Sequence, residues 1–146
     1  MDVCEDGDLL EYKYVFEQSV GKVKPLYYFE YNQQETPLGL PIRMKVVKDG
    51  EMVGSHTIRP LLLAIDGKMV KAGLTMDSFI LPAHRKQGLF TKLVTATSRE
   101  AANRGWNVLL GFANRNSINI YCSRLGHVEP GRMRYVVLEK SANPGT

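Results

Sequence analysis

Two Asp-Gly pairs, Asp49-Gly50 and Asp66-Gly67, restrict the fold more than any other feature of this chain. Placed between apolar runs, Asp-Gly favours a tight hairpin turn, because both central residues must take positive φ and these two do so at little cost. The flanking runs read as strands. Ile42, Met44 and Val46 alternate with Arg43 and Lys45, a long run follows from Met52 to Ile65, and a third extends from Met69 to Leu81. These residues are therefore predicted to form a three-stranded antiparallel meander. Within the third strand Val70, Ala72, Leu74 and Met76 share one parity, whereas Phe79 and Leu81 take the other. A slip of one residue reverses the face, which predicts a β-bulge at Asp77 and Ser78.

On either side of the meander the period is helical. Asp8 is expected to cap a helix running to Val20, with Leu9, Tyr12, Val15, Phe16 and Val20 as its apolar stripe and Gly21 as its stop. A short aromatic helix follows from Pro25 to Tyr31, whose rings serve either as core or as one wall of a binding site. Beyond Leu81 the chain passes Pro82, the basic run His84-Arg85-Lys86-Gln87 and Gly88. Leu89, Phe90, Leu93, Val94, Thr97 and Ala101 then recur at helical intervals. Such a strand-turn-helix junction points unpaired N–H groups and the positive end of the helix dipole at one spot, and Gly88 lets a ligand approach the backbone, so a phosphate is the expected guest. It is not a Walker loop, since Leu89, Phe90 and Thr91 separate Gly88 from Lys92, and a dinucleotide fingerprint would need two further glycines.

After Gly105, residues 106–112 are predicted as a short, almost wholly apolar strand expected to pair in parallel with the strand ending at Leu81. Residues 114–126 are predicted as a capped helix with the stripe Ile118, Tyr121, Cys122 and Leu125, and residues 132–139 as a last strand. Residues 1–7 and 141–146 are expected to be flexible. With 146 residues, 44% hydrophobic and 23% charged, the chain fits one domain, residues 1–146. Its formal net charge of +4 is spread along the sequence, so nucleic acid is a secondary reading. Cys4 and Cys122 make neither a metal-ligand cluster nor a disulfide framework, so no metal is expected and a reducing compartment is. With no membrane-spanning stretch and an acidic N-terminus unlike a signal peptide, the expected location is the cytoplasm.

Two motifs carry a family resemblance. Pro82, Arg85 and Gly88 follow a strand with the spacing of one, although Phe90 stands where a small residue is usual. Asn114, Ser117, Tyr121 and Leu125-Gly126 supply the other. Together they make the chain resemble the GNAT superfamily of acetyl-CoA-dependent N-acetyltransferases, over most of its length. The resemblance implies an α/β (α+β) fold with a central mixed sheet: an antiparallel meander, then strand-helix-strand-helix, with splayed strands binding CoA. It implies acetyl transfer from acetyl-CoA to a primary amine, the acceptor being a small molecule such as an amino sugar, an antibiotic or a polyamine, and a homodimer as one form of assembly.

Carried over by position, the resemblance places the backbone of Phe79, Ile80 and Leu81 against the pantetheine arm. It also places Arg85, Lys86, Gln87, Gly88, Leu89, Phe90 and Thr91 around the pyrophosphate. Asn114 matches a position that contacts the cofactor, caps its helix, or does both. Tyr121 is placed as the general acid, a phenol whose pKa near ~10 keeps it protonated at neutral pH. Asp77, in the expected bulge, is the candidate general base, with His56 and Glu30 as weaker options. The family sometimes uses a carboxylate on the strand before the second motif, and here that strand offers only Val108, Leu109, Leu110, Gly111 and Phe112. An acyl-cysteine on Cys122 would have only His127 as a nearby histidine. Two competing readings remain: a non-catalytic acyl-CoA-binding or protein-interaction module, and a basic nucleic-acid-binding domain.

Overall fold

The computed structural model describes residues 1–133. Its elements are β1 (Asp2–Val3), α1 (Leu9–Val20), α2 (Leu26–Gln33), β2 (Ile42–Lys48), β3 (Glu51–Ile65), β4 (Lys68–Ile80), α3 (Leu89–Asn103), β5 (Val108–Gly111) and α4 (Ile118–Arg124). One mixed sheet has the order β1-β2-β3-β4-β5, antiparallel as far as β4 and parallel between β4 and β5. The predicted meander is present, with both Asp-Gly pairs at positive φ: Asp49 52°, Gly50 84°, Asp66 49° and Gly67 75°. No helix among the described residues is long and apolar enough to cross a membrane. The expected strand at 132–139 and tail at 141–146 lie outside the described residues from 134 onward.

The helices cover both faces of the sheet. Tyr12, Val15 and Phe16 of α1 and Phe29 of α2 pack with Met52 and Phe79 on one face. On the other, Leu93 packs with Val46, Val53 and Ile80, and Ala101 with Ile42, Ile58 and Trp106. The α3 stripe is as predicted, with Leu93, Val94, Thr97 and Ala101 all buried. Adjacent residues Phe79 and Ile80 thus serve opposite cores.

Four local expectations need correction. The first residues are not frayed: Asp2 and Val3 pair with Lys45 and Met44, and the Cys4 amide donates to the Arg43 carbonyl at 3.0 Å. Asp8 holds the N-cap position of α1 without capping by its side chain. Its carboxylate instead accepts from Lys45 Nζ at 2.6 Å and from the Glu5 amide at 2.8 Å. The strand predicted at 106–112 shortens to Val108–Gly111, because the Trp106 amide closes the end of α3 on the Ala101 carbonyl. Asn114 does not cap α4, which starts only at Ile118. The Asn114 Oδ1 accepts from the Asn116 and Ser117 amides at 2.9 and 3.1 Å, a local turn that competes with the helix.

Candidate functional site

The predicted bulge is present. The β3–β4 register passes from Thr57 opposite Met76 to Ser55 opposite Phe79, so His56 alone faces Asp77 and Ser78, and Asp77 takes φ 47°. At this level β4 also loses its other neighbour. The pairing with β5 runs from Ala72 opposite Val108 to Thr75 opposite Gly111 and stops, leaving residues 76–80 with no strand on that side among the described residues. Gly111 permits the last close pair, since a Cβ there would lie 2.4 Å from the Thr75 hydroxyl.

A chain of side chains converges on the bulge. His56 is fully buried, and its Nδ1 lies 2.5 Å from Ser78 Oγ, which lies 3.5 Å from the Tyr121 hydroxyl. The Tyr121 ring stands edge-on to Phe90 and to His127, with centroids 5.8 and 5.0 Å away. Burial pushes the Tyr121 phenol above its ordinary pKa, and hydrogen bonds with Ser78 and Thr75 oppose this in part. Tyr121 is therefore a protonated donor at neutral pH. Asp77 accepts from the Tyr28 hydroxyl at 3.2 Å. Burial raises its carboxyl pKa, opposed by the Tyr28 bond and by the charges of Arg43 and Lys24, which shifts proton uptake toward neutrality. His56 is pushed by burial down to about 3, so the imidazole is neutral. Glu30 is exposed on α2 and lines neither cleft described below.

Beyond β4, the turn to α3 presents a run of backbone donors. Lys86 and Gly88 take φ 61° and 72°, and α3 opens at Gly88 with no side-chain cap and no acidic residue in its first turn. The first backbone bond of the helix runs from the Lys92 amide to the Gly88 carbonyl. Among the described residues, the amides of Lys86, Gln87, Gly88, Leu89, Phe90 and Thr91 donate to no protein acceptor. Consecutive free N–H groups at the positive end of a fifteen-residue helix form a concave donor cradle.

Two clefts, of about 860 and 840 Å³, open on either side of the bulge and share Val20, Ser78, Asn114 and Ser117. Asp77 lines the first, with Lys22, Lys24, Tyr121 and His127. Phe79, Ile80, Arg85, Lys86 and the residues from Gly88 to Thr91 line the second. Three of the expected contact residues also bond within the protein. Leu81 lines neither cleft, because its amide donates to the Val53 carbonyl at 2.8 Å. The Gln87 side chain is turned away, accepting from Lys48 Nζ at 2.6 Å. Arg85 donates to the Ile80 carbonyl at 2.9 Å and the Ser19 carbonyl at 2.7 Å, so its guanidinium braces the turn against α1. Sequence reasoning missed Ser78 and Tyr28 as site residues. The parity slip marked Ser78, and the aromatic helix contained Tyr28, but neither signal identified a partner.

A model of an acetyltransferase (GNAT) domain matches residues 7–126 of the chain. Among solved structures, a ribosomal-protein-alanine N-acetyltransferase from Brucella melitensis biovar Abortus 2308 superposes with TM-score 0.74 at 18% identity, covering 94% of this chain and 98% of that one. An aminoglycoside antibiotic 6'-N-acetyltransferase from Acinetobacter haemolyticus gives 0.72 at 16%, covering 95% and 97%. An aminoglycoside N-acetyltransferase in complex with CoA gives 0.73 at 17%, covering 95% and 98%. No curated protein matches the chain in sequence at a significant level. At these identities the structural neighbours establish the fold.

Proposed function

The chain belongs to the GNAT acetyltransferase family, and from that premise we propose that it transfers an acetyl group from acetyl-CoA to a primary amine of a small molecule. The observation that carries this reading is the run of unpartnered amides from Lys86 to Thr91, opening onto a cleft that meets the Asp77 and Tyr121 cleft at Ser78. These amides would hold the pyrophosphate, with Lys86 adding charge, and the free edge of residues 76–80 would lie along the pantetheine arm. The bound CoA of one structural neighbour supports the same assignment. Acetyl-CoA, when bound, supplies an activated acyl group on a sulfur leaving group.

The rest of the chemistry falls to this chain's own residues. Asp77, its carboxyl raised by burial, takes the proton from the attacking amine. Tyr121, kept protonated, donates its hydroxyl proton where the thiolate departs. A backbone N–H of the bulge would stabilise negative charge on the carbonyl oxygen. A second reading, a non-catalytic acyl-CoA-binding module, is favoured by one feature: β5, from Val108 to Gly111, carries no ionisable side chain.

A thermal-shift titration with acetyl-CoA and CoA, on the parent and on Thr91→Glu, tests the proposal. The new carboxylate suits the helix dipole, so the variant folds, but it opposes the pyrophosphate. A saturable rise in Tm is expected for the parent and none for the variant. No shift for the parent at millimolar cofactor overturns the acetyl-CoA reading. Free-thiol release is then measured with amino sugars, aminoglycosides, polyamines and a peptide N-terminus. Binding without release by any of them favours the non-catalytic module.

A further inference from the structure

We infer that His56 is a positioning residue for the acid step: its imidazole fixes the Ser78 hydroxyl as a donor to the Tyr121 oxygen, so that the phenol proton points into the cleft. The inference rests on the proposed role of Tyr121 as acid. Its starting point is a buried histidine that the proposed transfer does not use. His56 is 0% exposed, its Nδ1 meets Ser78, and its Nε2 is buried with no hydrogen-bond partner among the described protein atoms. Burying an imidazole is costly unless the hydrogen bond it makes is worth keeping.

The unpartnered Nε2 decides the direction of the chain. A neutral imidazole carries one N–H. With the proton on Nε2, a donor would be orphaned in the core. With the proton on Nδ1, the orphan is only an unprotonated nitrogen, and buried donors without partners are the rarer case. The Nδ1–H therefore donates to Ser78 Oγ. The single Ser78 proton then points along the chain to its other neighbour, the Tyr121 oxygen 3.5 Å away, a long contact of the kind that tightens when a site fills. The Tyr121 oxygen accepts from Ser78, with Thr75 as a second donor to the same oxygen, and its own proton is left for the departing sulfur. Once that proton leaves, the phenolate already faces a fixed donor, so nothing has to reorganise.

Few charges compete with this control. His127 stands against the outer edge of Tyr121 and is the titratable side chain whose charge bears on His56. Asp77, next to Ser78, accepts from Tyr28.

The test is a pH titration of the full chain labelled with ¹³Cζ-tyrosine, with Tyr121→Phe identifying the Tyr121 resonance. Ser78→Ala and His56→Phe are expected to raise the Tyr121 pKa, because both remove donation to the phenolate. His56→Asn, whose amide N–H can stand in for Nδ1–H, is expected to hold it. A fall in pKa in Ser78→Ala would show Tyr121 donating to Ser78, and no change would show no coupling; either overturns the inference. His56→Gln, which cannot place its N–H at Nδ1, replaces His56→Phe if the latter does not fold. With an amine accepted in the thiol assay, kcat is expected to fall about tenfold in His56→Phe and to recover in His56→Asn, with KM for acetyl-CoA unchanged. The NMR readout needs no acceptor, so failure of acetyl transfer overturns the proposed function while leaving the hydrogen-bond result to stand on its own.

Discussion

The bulge near the end of β4 and the turn that leads from β4 to α3 use the same backbone device to different ends. At the bulge Asp77 takes φ 47°, and at the turn Lys86 takes φ 61°, both non-glycine residues in the left-handed region. At the turn, that conformation exposes a row of N–H groups, and the side chains beside it are spent elsewhere: Arg85 on two carbonyls and Gln87 on Lys48. At the bulge it gathers buried and half-buried side chains from four elements, with His56, Tyr28 and Tyr121 meeting Asp77 and Ser78. Recognition of an anion by main chain tolerates most substitutions nearby. Proton transfer by buried side chains tolerates few.

The largest break in this contrast is expected from Tyr121→Phe. Loss of the donor should lower kcat by about 10²–10³-fold while leaving the acetyl-CoA thermal shift intact, since the cradle is made by other residues. Steady-state kinetics beside the thermal shift checks both halves.

Asp77→Asn should lower kcat by about 10²-fold and yet stabilise the fold. Its carboxyl pKa is raised in the folded protein, so the stability it contributes is fully present below the unfolded value and lost as pH rises through the folded value. Asn cannot ionise, tolerates positive φ and can still accept from Tyr28. Melting curves should therefore show the variant with the higher Tm at pH 7 and the gap closing on acidification. In the parent, the acid limb of kcat/KM should fall above the ordinary carboxylate range. A lower Tm for the variant at pH 7 would contradict the stated cause of the shift.

The smallest effect belongs to the turn. Gly88 has φ 72°, and a Cβ added there would meet no atom within 4 Å, so Gly88→Ala should cost only about 1 kcal/mol of backbone strain. Denaturant melts measure that cost, and cofactor affinity should change little because the N–H groups stay in place.

Legibility in the sequence followed the range of the interactions. The Asp-Gly turns, the α3 stripe and the Gly88 junction are local, and residues a few positions apart disclosed them. The bulge was visible too, because a parity slip within one strand is a local signal. What Ser78 touches was not, since its partners lie 22 and 43 residues away in sequence. Arg85 is the converse case: its spacing fits a cofactor motif, and only the fold discloses that its guanidinium also donates to the Ile80 and Ser19 carbonyls. Pairing of the first residues with β2 was equally hidden, because a two-residue strand has no periodicity to read.

The bulge also bears on how such a chain can change over generations. Point substitutions at Asp77 or Ser78 alter chemistry one side chain at a time and leave the strand in phase. Deleting either residue would leave Met76 and Phe79 two apart and still on one face, so Phe79 and Ile80 would keep their cores while the extra residue opposite His56 is lost. The side chains at this position can thus be varied singly by substitution, or the irregularity that presents them removed by one deletion, with the pairing on either side of it kept.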